Sequence, residues 1–248
     1  MMRYVGNYKE ITATVVIIAC LQNVSYGAAE VPITIPKELV SKAVAVWHMD
    51  KDKGDIVVDS KGKNNAKSYE TQIVTGVSGK GKHFDGQNSY IETPLNTTMF
   101  RKGITISLWI KSEGCGVDTV CAILDSGHDE DNNFVLQSIN KKADVFAWYA
   151  NKNSVLFNVP HDKWTHLLLL MDVKHKIFKG YINGSEVKIK HNKKPFQLTD
   201  DGILTLGKLA GYDERYYKGA IDEVIVWDYA LSYADVKKVL GSYNSLHK

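Results

Sequence analysis

One acidic pair in the sequence is placed where it could serve hydrolysis of a glycosidic bond. Asp222 and Glu223 are adjacent in a strand-like run, residues 219–227. Glycoside hydrolysis usually requires two carboxylates that face one cleft. Neighbouring residues of a regular strand point to opposite faces of the sheet, so we expect these two carboxylates to face apart. This pattern argues against a two-carboxylate glycosidase. A polysaccharide lyase stays open as an alternative, because Arg215 lies near several tyrosines.

Aromatic side chains offer a second kind of chemistry, the stacking of an apolar sugar face on a ring. Residues 212–217 read Tyr-Asp-Glu-Arg-Tyr-Tyr, which is typical of a loop that presents aromatic rings beside charges. Trp148 is a further candidate for exposure and alternates with Phe146, so both rings should lie on one side of a strand. Ordinary packing over the end of a sheet is the alternative for the tyrosines. The predicted ligand contacts are Tyr212, Arg215, Tyr216, Tyr217 and Trp148.

The cysteines predict one disulfide. Cys115 and Cys121 flank a glycine-containing loop between two strand-like runs. An oxidising compartment favours a bond between them. A reduced pair or a metal site is the less favoured alternative, because no histidine or further cysteine clusters nearby. Cys20 lies apart, close to the N-terminus.

The N-terminal residues 1–29 have the organisation of a secretory signal peptide. Basic residues precede an apolar run over residues 11–21, and small residues follow at 25–29. This order is the signature of a cleaved export signal, so the protein is predicted to be secreted or periplasmic. Lipid attachment through Cys20 and an uncleaved anchor are the alternatives. We expect no membrane span after signal cleavage, because later apolar runs are too short to cross a bilayer.

Length and charge limit the remaining possibilities. The chain has 248 residues and a formal net charge of +3. A concentrated basic field, which nucleic-acid binding requires, is absent from the composition. We therefore predict one domain over residues 30–248 that binds no nucleic acid.

The elements that must position these residues are almost all strands. Short runs rich in β-formers are separated by turns that carry Gly, Asn and Asp, which is typical of a sandwich or barrel. Asn183-Gly184 is a hairpin signal, and residues 30–40 are predicted to be an extended lead-in. One helix is predicted near the C-terminus, with Ser232 as N-cap, Asp235 completing a capping box and Gly241 as its end. The strand-like runs are residues 43–49, 105–110, 134–138, 145–150, 154–157, 164–171, 178–182, 187–189, 202–207 and 219–227.

Several sequence blocks, taken in order, resemble the laminin-G-like, concanavalin A-like lectin and glucanase domains. The resemblance covers nearly all of the chain after the signal segment, and each block alone is weakly specific. It implies an all-β, two-sheet antiparallel jelly-roll sandwich with one short C-terminal helix. The blocks are residues 47–50, 58–65, 79–86, 89–91, 104–111, 164–166, 181–184, 219–224 and 230–232.

The resemblance also bears on metal and activity. Members of this superfamily often hold a structural calcium ion, and Asp222 occupies the family's aspartate in the last long strand, so Asp50 and Asp222 are the predicted ligands. The acidic segments 129–133 and 199–201 are further oxygen-rich candidates. Related glucanases carry Glu-x-Asp-x-x-Glu on this strand, whereas both glutamates that flank Asp222 in that motif are missing here.

The sequence therefore predicts an exported, non-catalytic binding module for a glycan or cell-surface ligand, most simply a carbohydrate. The alternatives are a structural or adhesion protein that contacts other proteins, and a polysaccharide-degrading enzyme.

Overall fold

The computed structural model describes residues 35–116, 120–127, 134–138, 145–150, 153–191, 202–210, 212 and 215–244. The predicted signal segment, Cys20 and the acidic segments 129–133 and 199–201 lie outside these residues. Within the described ranges, no helix combines the length and apolar character that crossing a membrane requires.

The described residues form mostly strands, with a helix near each end. In chain order the elements are α1 (Lys37–Lys42), β1 (Ala45–Trp47), β2 (Ile56–Val57), β3 (Ala66–Tyr69), β4 (Gln72–Thr75), β5 (Lys80–Asp85), β6 (Tyr90–Asn96), a 3₁₀ helix (Thr97–Phe100), β7 (Gly103–Cys115), β8 (Ala122–Asp125), β9 (Phe134–Ser138), β10 (Val145–Ala150), β11 (Asn153–Asn158), β12 (Trp164–Asp172), β13 (Ile177–Ile182), β14 (Ser185–Val187), β15 (Ile189–His191), β16 (Ile203–Leu206), β17 (Tyr217–Trp227) and α2 (Tyr233–Asn244).

The strands form two antiparallel sheets, as the family resemblance implies. Sheet A has the order β14-β13-β12-β7-β17-β5-β4, and β1 also pairs with β17. Sheet B has the order β15-β11-β10-β9-β8-β16-β6-β3-β2. The first strand, β1, and the last strand, β17, are neighbours, with Ala45 opposite Val226. The chain is a two-sheet sandwich.

Strand β12 shows how the core is built. Its leucine run is buried on both faces, which explains why the sequence lacks the polar alternation of a half-exposed strand. Leu167 and Leu169 belong to the cluster between the two sheets. Leu168 and Leu170 belong to a second cluster on the outer face of sheet A. Sheet A is therefore the central layer of the molecule.

Both helices cover that outer face of sheet A. Leu39 of α1 and Val239 of α2 belong to the second cluster, and Trp227 Nε1 donates a hydrogen bond to Leu39 O at 2.9 Å. The prediction of an extended lead-in through residue 40 is wrong, because residues 37–42 are helical. Burial of one leucine stabilises this short helix, which its own sequence does not signal.

The turn and cap predictions can be compared directly with the structure. Asn183 and Gly184 both have positive φ, 46° and 81°, as a type I′ hairpin turn requires. Ser232 Oγ accepts a hydrogen bond from Asp235 N–H at 3.2 Å, which confirms the predicted cap. The predicted stop at Gly241 is wrong, since α2 continues to Asn244.

Candidate functional site

The predicted disulfide is present between Cys115 and Cys121. Cys115 ends β7 in sheet A, and Cys121 directly precedes β8 in sheet B. The Cys121 amide also donates a hydrogen bond to Ser138 Oγ at 3.0 Å. The bond therefore joins the two sheets covalently at one end of the sandwich.

The two predicted metal ligands lie on either side of the loop between β4 and β5. Asp50 Oδ1 accepts a hydrogen bond from Lys80 N–H at 2.8 Å. Asp222 Oδ2 accepts hydrogen bonds from Val77 N–H at 2.8 Å and Ser78 N–H at 3.2 Å. Backbone amides are strong donors that need an acceptor when they are removed from water. Both carboxylates thus anchor this loop, Asp222 to β17 and Asp50 to the segment that follows β1.

Two glycines permit that close approach. A Cβ atom on Gly76 would collide with Asp222 Oδ2, and one on Gly79 would collide with Asp50 Oδ1. Gly79 also has φ +61°, a conformation that other residues rarely adopt. The loop sequence is therefore adapted to the two carboxylates.

A β-bulge places Asp222 and Glu223 on the same side of sheet A. The register of β17 shifts between Asp222 and Ile225, and Glu223 has a positive φ of 51°. Ile221 and Val224, on either side, both belong to the cluster between the sheets. The expectation that the two carboxylates face apart is wrong, because the bulge inserts an extra residue and interrupts the alternation.

His48, Asp50, Asp222 and Glu223 form what we call the charged cluster. His48 Nδ1 lies 2.8 Å from Glu223 Oε2, and this hydrogen bond raises the pKa of His48. Burial, followed by the negative charge of Glu223, raises the pKa of Asp222 to about 8. Asp222 is fully buried, and only 4% of Glu223 is exposed. These carboxylates therefore contact other protein groups and are inaccessible to a polysaccharide.

A buried ion pair extends this region. Lys82 Nζ lies 3.3 Å from Asp52 Oδ2, with 2% and 1% of the two side chains exposed. Asp52 Oδ1 also accepts a hydrogen bond from Val58 N–H at 3.0 Å. A buried pair of this kind fixes the chain path more than it adds stability, because desolvation offsets much of its attraction.

The contacts of the predicted metal ligands fit loop anchoring better than a calcium site. Calcium takes six to eight oxygen ligands, whereas both oxygens of Asp222 accept hydrogen bonds from amides, the second from Glu223 N–H at 2.8 Å. The described residues contain no group of three or more His, Cys, Asp or Glu that could hold a metal ion. Calcium binding by Asp50 and Asp222 stays a prediction.

Two of the predicted ligand contacts are core residues. Trp148 is 0% exposed and stacks on Phe178 with ring centroids 5.4 Å apart. Tyr217 is also 0% exposed and packs against Phe84. Their assignment to a ligand site is wrong, because both side chains point into the space between the sheets. Trp148 does share that side with Phe146, as its alternation predicts.

The other predicted contacts lie at the turn between β16 and β17. Tyr212 is 42% exposed, and the Arg215 guanidinium lies 3.8 Å from the centroid of its ring. Tyr216 is only 7% exposed, yet its ring lies next to Tyr90 on sheet B, at 6.4 Å. The turn is closed by the hydrogen bond from Leu209 N–H to Arg215 O.

Tyr69, Tyr90 and Tyr216 form what we call the tyrosine row. Tyr69 and Tyr90 are paired across β3 and β6, and their rings stack at 4.4 Å with an interplanar angle of 10°. Ser68 and Ile91, their neighbours along the strands, are buried, so the two tyrosines lie on the opposite, outer face of sheet B. The row continues to Tyr216 at the base of the turn.

Cations lie over the rings of the row. Lys208 Nζ lies 5.2 Å from the Tyr90 centroid and 5.4 Å from the Tyr216 centroid. Lys67 Nζ lies 5.0 Å from the centroid of Tyr69. Attraction between an ammonium and the ring quadrupole contributes about 0.5–1 kcal/mol at an exposed site. The row therefore combines aromatic surface with ordered positive charge.

A buried aspartate fixes the turn beside the row. Asp125 is 0% exposed, and its Oδ2 accepts a hydrogen bond from Ala210 N–H at 2.6 Å. Lys208 and Tyr216 are bridged across the base of the turn. The backbone positions of Lys208 and Tyr216 are thus set by contacts within the protein.

Sequence reasoning missed Tyr69, Tyr90, Lys67 and Lys208. One signal was available for Tyr90, because it precedes the apolar Ile91 in a recognised strand block and should therefore face solvent if Ile91 faces the core. The pairing of Tyr69 with Tyr90 joins distant parts of the chain and has no local signal.

Comparison with known proteins identifies the fold family. A model described as the concanavalin A-like lectin/glucanases superfamily matches residues 85–237. The comparison with curated protein sequences gives no significant match.

Several solved structures share this fold. Domain 4 of AbnA, an extracellular arabinanase from Geobacillus stearothermophilus, in complex with arabinotriose, is 21% identical with a TM-score of 0.61, over 80% of this chain and 98% of that chain. Trypanosoma rangeli sialidase in complex with 2,3-difluorosialic acid is 12% identical with a TM-score of 0.66, over 83% of this chain and 34% of that chain. The botulinum neurotoxin serotype D binding domain is 16% identical with a TM-score of 0.63, over 84% of this chain and 52% of that chain. At these identities the likeness shows the fold alone.

Proposed function

Because the chain belongs to the concanavalin A-like lectin/glucanase superfamily, we propose that it is an exported, non-catalytic binding module whose ligand is a carbohydrate. The fold alone does not select this function, since one fold hosts many activities. The proposal therefore depends on the site.

The tyrosine row is the observation that carries the proposal. Three rings follow one another across the outer face of sheet B, with Lys208 between two of them. Tyrosine combines apolar surface with a polar hydroxyl group, which suits a sugar ring with its apolar face and its hydroxyl groups. Tyr212 and Arg215 extend this surface at the adjacent turn. On the outer face of sheet A, by contrast, the aromatic rings of Trp109, Tyr181 and Trp227 are buried in the cluster that includes α1 and α2.

One structural relative supports the choice of ligand class. The arabinanase domain that shares this fold was solved with a bound arabinotriose. That likeness spans nearly the whole of the relative, so the fold there forms a complete domain. A sugar-binding role for an isolated sandwich of this kind is therefore consistent with the tyrosine row here.

Two observations support the remaining parts of the proposal. Asp222 and Glu223 are buried in the charged cluster, which argues against their use as a hydrolytic pair on a polymer. The disulfide between Cys115 and Cys121 favours an oxidising compartment, because such bonds are rare in the cytosol.

A panel of plant, algal and host polysaccharides tests the proposal by affinity electrophoresis. We expect at least one polymer to retard the protein, and the Tyr90→Ala variant to bind it about tenfold more weakly, because it loses one stacked ring. Tyr233→Ala is the matched control, since Tyr233 is 63% exposed and also lies under a lysine, but on α2. Absence of binding across the panel would overturn the carbohydrate proposal and favour a protein ligand.

A further inference from the structure

We infer that the disulfide between Cys115 and Cys121 positions the tyrosine row, so that ligand binding depends on the oxidised state of this cysteine pair. The inference rests on the proposed function, because it names the residues that hold the same surface in its binding geometry.

Each cysteine is followed directly by a residue that contacts the backbone of Tyr216. Gly116, which follows Cys115, donates its N–H to Tyr216 O at 3.1 Å. Ala122, which follows Cys121, forms a parallel bridge with Tyr216. The disulfide therefore joins the two segments that contact the Tyr216 backbone.

Cys121 is also anchored in sheet B by hydrogen bonds. Its N–H donates to Ser138 Oγ at 3.0 Å, and its carbonyl oxygen accepts a hydrogen bond from Ser138 N–H at 2.9 Å. Cys115 instead ends β7 in sheet A, where it is paired with Tyr217 of β17. The disulfide thus ties the end of β7 to a residue that is fixed in sheet B.

This tie matters for the tyrosine row because the row spans both sheets. Tyr69 and Tyr90 belong to β3 and β6 of sheet B, whereas Tyr216 directly precedes β17 of sheet A. The Tyr216 ring lies 6.4 Å from the Tyr90 ring, and Lys208 Nζ lies over both rings, at 5.4 and 5.2 Å. The spacing of the third ring therefore depends on how the two sheets are held together at this end.

A row that is fixed before a ligand arrives binds more tightly, because less conformational freedom is lost on binding. Without the disulfide, the end of β7 and its contact with Tyr216 lose their covalent link to sheet B. The two cysteines are only six residues apart, so the bond closes a short loop and restricts the unfolded chain less than a bond across a long loop would. Its loss should therefore reduce ligand affinity while the sandwich stays folded.

The test measures affinity for the polymer selected from the panel in three states: oxidised, reduced by a dithiol, and reoxidised. In the reduction step the S–S bond breaks and two thiols form, while the dithiol supplies two electrons and two protons and becomes a disulfide. We expect affinity to fall about fivefold on reduction and to return on reoxidation. The double variant Cys115→Ala/Cys121→Ala should bind like the reduced protein, and melting curves establish that both forms are folded at the assay temperature.

Two tyrosine variants separate positioning of the row from general stabilisation. In Tyr216→Ala, reduction should cause no further loss of affinity, because the disulfide acts through Tyr216. In Tyr69→Ala, the matched control, reduction should still cost about fivefold, since changes at independent sites add. Equal losses on reduction in the two variants, or no loss in the unmutated protein, would overturn the inference and leave the carbohydrate proposal intact.

A comparison without ligand keeps the two proposals distinguishable. Backbone amide chemical shifts of the oxidised and reduced proteins should differ at residues 90, 206–208 and 215–217 as well as around the cysteines, with residues 48–52 and 76–82 unchanged. Differences confined to residues 114–116, 120–122 and 138 would overturn the inference. If no polymer binds the oxidised protein, the carbohydrate proposal falls, whereas this comparison still decides whether the disulfide positions the row.

Discussion

The charged cluster and the tyrosine row differ in what satisfies their polar groups. In the charged cluster, both oxygens of Asp222 accept hydrogen bonds from amides of the protein, and Glu223 contacts His48. In the tyrosine row, Tyr69 and Tyr90 are only partly buried and carry cations above their rings. Titratable residues with shifted pKa values can therefore be structural. Partly exposed rings with ordered cations are the better indicator of a binding surface in this molecule.

Removal of the Asp222 carboxylate should give the largest effect. Asp222→Ala leaves the amides of Val77, Ser78 and Glu223 without their acceptor, so the free energy of unfolding should fall by about 3 kcal/mol. Urea denaturation measures this change. Asp228→Ala is the control, because Asp228 is exposed on the same segment and should change stability by less than about 0.5 kcal/mol. Glycan affinity of the folded protein should be unchanged in both variants. A loss of affinity in Asp222→Ala alone would show that the charged cluster also contributes to binding.

Stability should depend on pH through the charged cluster. The pKa of Asp222 is raised from 3.8 to about 8, so between these values the folded protein holds a proton that the unfolded chain releases. Stability then falls as pH rises through this window. The raised pKa of His48 acts in the same direction, since its contribution is present below pH 6.5 and is lost as pH rises through the pKa of the folded state.

Urea midpoints at pH 5, 6.5 and 8 test this dependence. We expect the free energy of unfolding to drop on the order of 2 kcal/mol between pH 5 and 8, and the drop to be smaller in Asp222→Asn. The pKa of Tyr90 is raised by burial, so its hydroxyl stays protonated and glycan affinity should stay level over the same range. Stability that rises between pH 5 and 8 would show that Asp222 is ionised throughout.

The turn beside the tyrosine row should make a smaller contribution. Tyr212→Ala removes a ring that is 42% exposed, so we expect about a twofold to threefold loss of glycan affinity and no measurable loss of stability. Titration calorimetry with the polymer selected from the panel measures the affinity. A loss of glycan affinity as large as that of Tyr90→Ala would show that the turn contributes as much to binding as the tyrosine row.

Calcium should have the smallest effect if the charged cluster is a loop anchor. The carboxylates of Asp50 and Asp222 already accept amide hydrogen bonds, so addition of calcium or of a chelator should shift the melting temperature by less than about 1 °C. A rise of several degrees with calcium, absent in Asp222→Asn, would instead establish the predicted metal site.

Local patterns were sufficient to predict much of the fold. The Asn183-Gly184 turn, the Ser232 cap and the disulfide each depend on residues close in sequence. The bulge at Glu223 and the helix α1 were missed, because both are set by packing against distant strands. Trp148 and Tyr217 were assigned to the ligand site although they are core residues, since aromatic content alone does not show which face of a strand is buried.

The candidate site was harder to predict than the fold. Tyr212, Arg215 and Tyr216 are clustered in sequence and are predicted from it as ligand contacts, which stays a prediction. Tyr69 and Tyr90 meet only through strand pairing, and Lys208 reaches Tyr90 only because the turn brings it there. A surface assembled from several strands leaves no contiguous motif in the sequence.

We propose that the ligand binds at the tyrosine row and not at the charged cluster. Mapping of backbone amide chemical shifts with an oligosaccharide of the selected polymer distinguishes the two sites. We expect the largest shifts at residues 67–69, 90–92, 205–208 and 215–216, with residues 48–52 and 76–82 unchanged. Shifts concentrated at residues 48–52 and 76–82 would contradict it and return the binding site to the charged cluster.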